Sequence, residues 1–428
     1  MGSESYQFED LKKAYGNFAS PVSEVLIDGE ALGENEFGIS ISDLRIEETC
    51  GFEASIATYM MYNVFDDVAA QFRYKAVKKY IQLGSVVVIY MGYDAAVREV
   101  FRGFIAKVNF VYDEDDIPGI RITAMDLKGI MMANSYSKQF KAQSYSGAVK
   151  EIFRNEPYSA MLSQDAQNAM QEQGAPGGGA AAGGSMPSGG GDDKADDATS
   201  GVMITDATIE DTPDAKQGGQ QGGGGEEQNS NRQSETTYTV EMVGESDYEF
   251  IVKAAKKFNF EFYILGGRMM FRKAKKDTST LMTLSPATML SSLDVEYDIT
   301  GLVSSVEVRN VDPGKGKLLT TKKKNSNKIG SKAKNLIKNM EKVFIDPTAD
   351  SKDDTGHRAE YLLEDMVYRF GTIRAGMVGL PEMVPGKFID LKDLGDTVDN
   401  TYYIMSVTHT MSKDGMFHTE IVGKAAKV

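Results

Sequence analysis

A β-rich α+β fold is predicted, with two similar antiparallel β-barrel domains flanking a small α/β module, on three observations. Residues 381–428 contain three strand-like runs, 387–391, 401–411 and 416–423, and Lys413-Asp414-Gly415 supplies an Asp-Gly hairpin turn between the last two. Residues 83–126 repeat that plan near the other end of the chain: glycine, apolar run, loop, long strand, turn, closing strand. The spacings agree as well, since Ile105, Val108 and Ile122 are separated by 3 and 14 residues, and so are Ile404, Val407 and Ile421. Between the two copies, ESDYEFIVKAAKKFNFEFYILGGRMMFRKA reads as a capped helix followed by a hairpin. One β-unit used twice around an α/β centre follows.

Length and composition set the frame. A chain of 428 residues holds two to four domains at about 100–200 residues each. A net charge of −15 argues against general nucleic-acid binding, which needs a basic face. The single cysteine, Cys50, excludes an internal disulfide framework and a Cys-pair zinc site. No apolar run approaches the roughly 20 residues of a membrane helix. The opening MGSESYQFEDLKK lacks the basic-then-apolar pattern of a signal peptide, so a soluble protein made in a reducing compartment is expected.

Residues 1–20 form an arm with Phe8, Leu11, Tyr15 and Phe18 at helical spacing; a frayed terminus is the favoured reading and docking on a neighbouring subunit the alternative. Residues 21–134 make the first barrel, with strands at 24–27, 39–46 and 51–63, a helical passage over 64–80, and the first β-unit. Along its long strand Phe104, Ala106, Val108, Phe110 and Tyr112 share one face. Residues 135–285 make the α/β module. Ser146 is the expected N-cap of a helix carrying Val149, Ile152 and Phe153. About residues 163–235, rich in glycine and nearly free of aromatics, form a disordered insertion that cannot bury enough apolar surface to order itself, with 202–211 as an isolated strand inside it.

Downstream, Ser246 and Glu249 form a capping box, and Phe250, Ile251, Ala254, Ala255 and Phe258 give the helix one apolar face. Asn259 ends it, and Gly266-Gly267 joins strands 260–265 and 268–272. Residues 286–428 make the second barrel, in which strands over 293–311 are interrupted by a helical, Lys-rich insertion over about 312–379.

The search for chemistry is negative. There is no phosphate loop of the G-x-x-x-x-G-K-[ST] type and no H-E-x-x-H. His409 and His418 fall on the two arms of the terminal hairpin as cross-strand neighbours. They lack a third ligand, so packed or solvent-facing strand histidines are favoured over a metal pair. Asp113-Glu114-Asp115-Asp116 lacks the alternating spacing of a calcium loop and reads as a solvated hairpin tip. Lys322-Lys323-Lys324 with Lys328, Lys332, Lys334 and Lys338 is the one basic concentration, either a solvated face or a dock for an acidic partner. Met60-Met61 and Met131-Met132 read as core or subunit contacts. No catalytic, cofactor-binding or metal residue is assigned.

Taken together, barrel, then E-S-D-Y-x-F entering a helix before a glycine-turn hairpin, then barrel, resembles the baseplate hub proteins of contractile phage tails. These are the late control protein D family, related to the base of the type VI secretion spike. Residues 379–423 add to the likeness: G-L-P-x-x-x-P-G, a strand running Tyr402-Tyr403-Ile404-Met405-Ser406-Val407 with His409 beyond, and the closing hairpin. The long Gly-rich insertion departs from the pattern, as does the end at Val428 with no appended spike, which implies a spike on a separate protein. The resemblance implies tail-tube-like barrels and a homotrimer whose six barrels form a pseudo-hexameric ring joining a hexameric tail tube to a trimeric spike. It also implies partners among the tail tube, spike and other baseplate proteins, no nucleic acid, no membrane, no cofactor, and assembly in the bacterial cytoplasm into a virion or phage-tail-like particle. The alternatives are another tail-tube-like ring (distal tail or tube terminator) and a tail-associated peptidoglycan hydrolase, which would need catalytic residues the sequence does not offer.

Overall fold

The computed structural model describes residues 5–34, 37–94, 96–113, 116–163, 209–214, 239–312, 316–349 and 351–428. The N-terminal half runs through helix α1 (Phe8–Ala14) and strands β1 (Pro21–Ile27), β2 (Glu30–Ala31), β3 (Ser40–Thr49) and β4 (Ile56–Tyr62). A small hairpin, β5 (Phe65–Asp66) and β6 (Gln71–Phe72), leads to β7 (Val86–Tyr93), β8 (Ala96–Val111) and β9 (Gly119–Met125). The hairpin replaces the first half of the helix expected over 64–80, and the second half is helical, a four-residue helix at Tyr74–Val77 continued by a 3-10 turn at Lys78–Tyr80. The Asp66 carboxylate accepts from the Val68 and Ala69 N–H groups, a turn that competes with a helical one, and the Phe65 and Phe72 rings stack edge-on at 5.2 Å.

Next comes the α/β module: β10 (Tyr136–Gln139), α2 (Tyr145–Phe153), β11 (Glu241–Glu245), α3 (Asp247–Phe258), β12 (Phe260–Leu265) and β13 (Arg268–Lys273). Helix α3 opens on the expected Ser246–Glu249 capping box and ends at Asn259, which adopts the left-handed conformation at φ 56°. Gly266 and Gly267, at φ 53° and 67°, turn β12 into β13. Helix α2 is capped by Ser144, whose hydroxyl accepts from the Gly147 N–H, and not by Ser146, which is buried and exchanges hydrogen bonds with Thr212. Thr212 belongs to 209–214, the described part of the span expected to be flexible, and there the chain is packed. Ile209 is buried, the Glu210 N–H donates to Phe271 O at 2.8 Å, and Asp211 pairs with Lys150 at 3.0 Å. Residues 164–208 and 215–238, the bulk of that span, lie outside the described residues.

The C-terminal half contains β14 (Thr280–Leu284), β15 (Leu290–Tyr297), β16 (Ser305–Val311), β17 (Leu318–Lys324), β18 (Glu341–Ile345), α4 (Lys352–Val367), β19 (Gly371–Val378), β20 (Phe388–Leu391), β21 (Asn400–Met411) and β22 (Phe417–Ala425). The interruption expected over 312–379 is displaced at both ends. Strand β16 leaves the main sheet and forms a separate one with β17 and β18, covered by α4 through Val306, Val308, Ala359 and Met366. Strand β19, expected inside the interruption, pairs with β15 and β22 in the main sheet. Alternation has the same period in either sheet, so the sequence cannot say which one a strand joins.

Thirteen strands form one sheet whose main path is β15-β19-β22-β21-β3-β4-β9-β8-β7-β1-β2, with β20 beside β21 and β14 beside β20. This corrects the expectation of two barrels, since among the described residues no closed barrel is found. The physical reason is strand length. Strand β21 has 12 residues against 4 in β20, so its edge runs past β20 and picks up β3. One apolar core underlies both halves, from Leu11 and Val25 through Ile105 and Ile122 to Ile404 and Ile421. The described part of the arm, residues 5–20, belongs to it rather than fraying. Leu11 and Tyr15 are buried, and the Tyr6 N–H donates to Leu281 O at 2.8 Å.

Candidate assembly interface

The two halves share one strand order. In the first it is β1-β7-β8-β9-β4-β3, and in the second β14-β20-β21-β22-β19-β15, with corresponding strands following in the same chain order. Registers correspond too. Ile105 faces Ala124 and Val108 faces Ile122, with a bulge between Ile105 and Lys107. Ile404 faces Gly423 and Val407 faces Ile421, with a bulge between Ile404 and Ser406. The one reversal is that β14 runs parallel to β20 whereas β1 runs antiparallel to β7.

The joint between halves is built on β21 and β3. Ser406–Met411 pair antiparallel with Thr49–Leu44, so that Val407 lies opposite Glu48, His409 opposite Ile46 and Met411 opposite Leu44. All six of those side chains are buried. Beyond the pairing, the Cys50 N–H donates to Met405 O at 3.0 Å and its thiol reaches Ile404 O at 3.4 Å. Burial pushes the Cys50 thiol up to about 12 and the Glu48 carboxyl well above its ordinary range. His409 hydrogen-bonds Thr419 Oγ1 at 3.0 Å through Nδ1; burial drives its pKa down to about 4 and outweighs the opposing effect of the Met383 backbone.

Two buried polar clusters tie the flanking elements to this sheet. Arg272 donates to Glu261 Oε1 at 2.8 Å, to the Tyr263 hydroxyl at 3.0 Å and to Gly386 O at 2.9 Å, while the Tyr403 hydroxyl donates to Glu261. The α/β hairpin is thereby clamped onto β20 and β21. In the second cluster the Tyr15 hydroxyl donates to Glu382, which Arg98 Nε also meets at 3.1 Å. Burial raises the Glu382 carboxyl and outweighs the Arg98 charge. Helix α1 is thus bound to β8 of one half and to the turn after β19 of the other.

Among the described residues the sheet has unpaired edges, two of them on β8 and β15. Residues 107–111 of β8 pair with β9 on one side and with no described residue on the other, because β7 pairs only up to Phe104. Among the described residues β15 pairs only with β19. These are the counterparts of the two edges that meet in the β21–β3 joint. Their apolar side chains are less covered than those of the joint: Phe110 is 44% and Tyr112 63% exposed, and Val108, Leu293, Val295 and Tyr297 are half-buried.

Several residues singled out in the sequence are not brought together. His409 faces Thr419 and His418 faces Thr410, so the two rings point to opposite faces, one buried and one half-buried. Among the described residues no group of three metal-binding side chains occurs, and no helix is long and apolar enough to cross a membrane. Glu114 and Asp115 of the acidic tip lie outside the described residues. Lys322 pairs with Glu341 at 2.5 Å and Lys323 with Glu360 at 3.7 Å, which neutralises part of the basic run. Met60, Met61 and Met131 are core, and Met132 is exposed. Sequence reasoning missed Arg272 and Glu261. The available signal was one charge inside each of two apolar strands, at positions that the glycine turn places opposite each other.

No protein family model matches the chain, and no curated protein matches it. Solved structures do. A tail protein from Neisseria meningitidis MC58 superposes with a TM-score of 0.58 at 12% identity, over 95% of this chain and 97% of its own. The 43 kDa tail protein of prophage MuSo2 from Shewanella oneidensis gives 0.59 at 11% identity, over 94% and 98%. At such identities the likeness is one of fold. The chain has the fold of these tail proteins along almost its whole length.

Proposed function

We propose that the chain is the structural baseplate hub of a contractile tail or related injection machine. Three copies form a ring with six-fold pseudosymmetry that joins a hexameric tail tube to a trimeric spike. The observation that carries this is the repeated strand order, β1-β7-β8-β9-β4-β3 and β14-β20-β21-β22-β19-β15. A chain with two equivalent units presents six in a trimer, so one face can match a six-fold partner while the assembly keeps the three-fold symmetry of the other. The open edges of β8 and β15 support self-assembly, because unpaired edges invite uncontrolled association unless a partner covers them. The role is mechanical: holding the tube, carrying the spike, transmitting the push, with other baseplate proteins around it. The fold shared with two tail proteins agrees with a place in a tail particle.

Native mass spectrometry of the full chain tests this. A species of three times 46.8 kDa is expected, and it should cap purified tail tubes end-on in electron micrographs. A stable hexamer would replace the hub with a tube-like ring protein, and a monomer that lyses cell walls would replace it with a hydrolase.

A further inference from the structure

We infer that neighbouring copies of this chain join by antiparallel pairing of β8 residues 107–112 with β15 residues 293–298, in the register Lys107–Asp298, Val108–Tyr297, Asn109–Glu296, Phe110–Val295, Val111–Asp294 and Tyr112–Leu293. The inference rests on the ring reading above and adds the surface and the alignment.

The register follows from the joint already inside the chain. Ile122 and Ile421 are equivalent, and each lies opposite Val108 or Val407 on one side and Tyr59 or Ala375 on the other. Carried one strand further, Ala57 and Ile373 correspond, and so do their partners Ile46 and Val295. Within the chain His409 lies opposite Ile46. The counterpart of His409 is Phe110, so Phe110 takes the place opposite Val295 of the next copy. The other pairs follow by stepping along both strands.

Side-chain chemistry, which was not used to set the alignment, agrees with it. Val108–Tyr297, Phe110–Val295 and Tyr112–Leu293 fall on one face, all apolar, while Lys107–Asp298, Asn109–Glu296 and Val111–Asp294 fall on the other. Lys107 and Asp298 carry opposite charges. A slip of one residue would set Phe110 against Asp294 or Glu296 and Lys107 against Tyr297, mixing the faces throughout. The apolar face continues the main core, against which Val108, Leu293 and Val295 already pack. Within one chain the described residues of β8 and β15 do not pair, since β8 pairs with β7 and β9 and β15 with β19.

The test is disulfide trapping in the full chain, with Cys50 left in place because its buried thiol is poorly reactive. Asn109→Cys with Glu296→Cys should give intermolecular bonds about tenfold faster than Asn109→Cys with Asp294→Cys, whose cysteines would sit a diagonal step apart. Dimer and trimer bands should appear on non-reducing gels and vanish with reductant. Masses are read in parallel under reducing conditions. A trimer that cross-links equally through both pairs, or better through the shifted one, overturns the register and leaves the ring intact. A chain that stays monomeric and uncross-linked overturns both.

Discussion

Ile105 and Ile404 hold the same station in the two halves. The Ile105 N–H donates to Ser85 O at 2.9 Å and its carbonyl accepts from Gly84 at 2.9 Å; the Ile404 N–H donates to Lys387 O at 2.8 Å and its carbonyl accepts from Gly386 at 2.9 Å. Both glycines have positive φ, 89° and 81°, and both isoleucines precede a bulge. Conformation, register and hydrogen bonding therefore repeat together.

The two glycines should nevertheless tolerate substitution differently. A Cβ at Gly84 meets nothing within 4 Å, so Gly84→Ala carries only the backbone penalty, about 1–2 kcal/mol. At Gly386 it would stand 2.1 Å from the Tyr263 hydroxyl, which Arg272 holds in place. Urea titration should show Gly386→Ala losing roughly 2 kcal/mol more than Gly84→Ala.

Arg272 and Glu261 form a buried pair with side chains 9% and 8% exposed. Arg272→Met leaves Glu261 charged in the interior and is expected to cost about 3–5 kcal/mol. Adding Glu261→Gln should recover much of that loss, because the stranded charge goes with it. Additive costs in a double-mutant cycle would show that the two residues act separately.

His409 sets a pH dependence whose sign can be worked out. In the unfolded chain it takes its proton near 6.5, and in the fold only near 4. Between those values the unfolded state holds more protons, so this residue's contribution is complete above about pH 6.5 and is lost as pH falls toward 4, up to about 3 kcal/mol. Glu48, Asp126 and Glu382, all raised by burial, act in the opposite sense over the acid range. The quantity to measure is therefore the difference in unfolding free energy between the parent and His409→Gln, which should shrink as pH drops from 6.5 to 4.

Tyr15→Phe removes the hydroxyl that Glu382 accepts from and leaves the carboxylate with Arg98 as its remaining described side-chain partner. A loss of about 1–3 kcal/mol is expected. Amide exchange should quicken in Phe8–Ala14 before it does in the sheet, since the helix is tied down there.

An added charge probes the copy-to-copy joint without touching the core. Asn109→Glu places a carboxylate opposite Glu296 of the next copy and should weaken self-association by up to about fivefold per joint. Glu296→Lys in the same chain should restore it. Light scattering over a dilution series reads both, and an unchanged trimer in the single variant would count against Asn109 facing Glu296.

Local choices were legible in the residues because they are short-range. The Ser246–Glu249 box, the Asn259 stop, the Gly266-Gly267 turn and the 3-and-14 spacing of the two β-units all rest on neighbours close in the chain, and all recur in the structure. Ser146 shows the limit even locally, since Ser144 two residues earlier has the cap geometry and Ser146 is drawn to Thr212, 66 residues away.

The repeated β-unit and the capped α/β centre can be read from residue order alone, because period, caps and turns act within a few residues. Which strands share a sheet, the merging of the halves through β21 and β3, and the clamping of the arm by Glu382 emerge only in the folded chain. Those outcomes depend on edges and buried charges meeting across hundreds of residues. Alternation gives a strand its faces, but its neighbours are chosen by strand length and by which edge remains free.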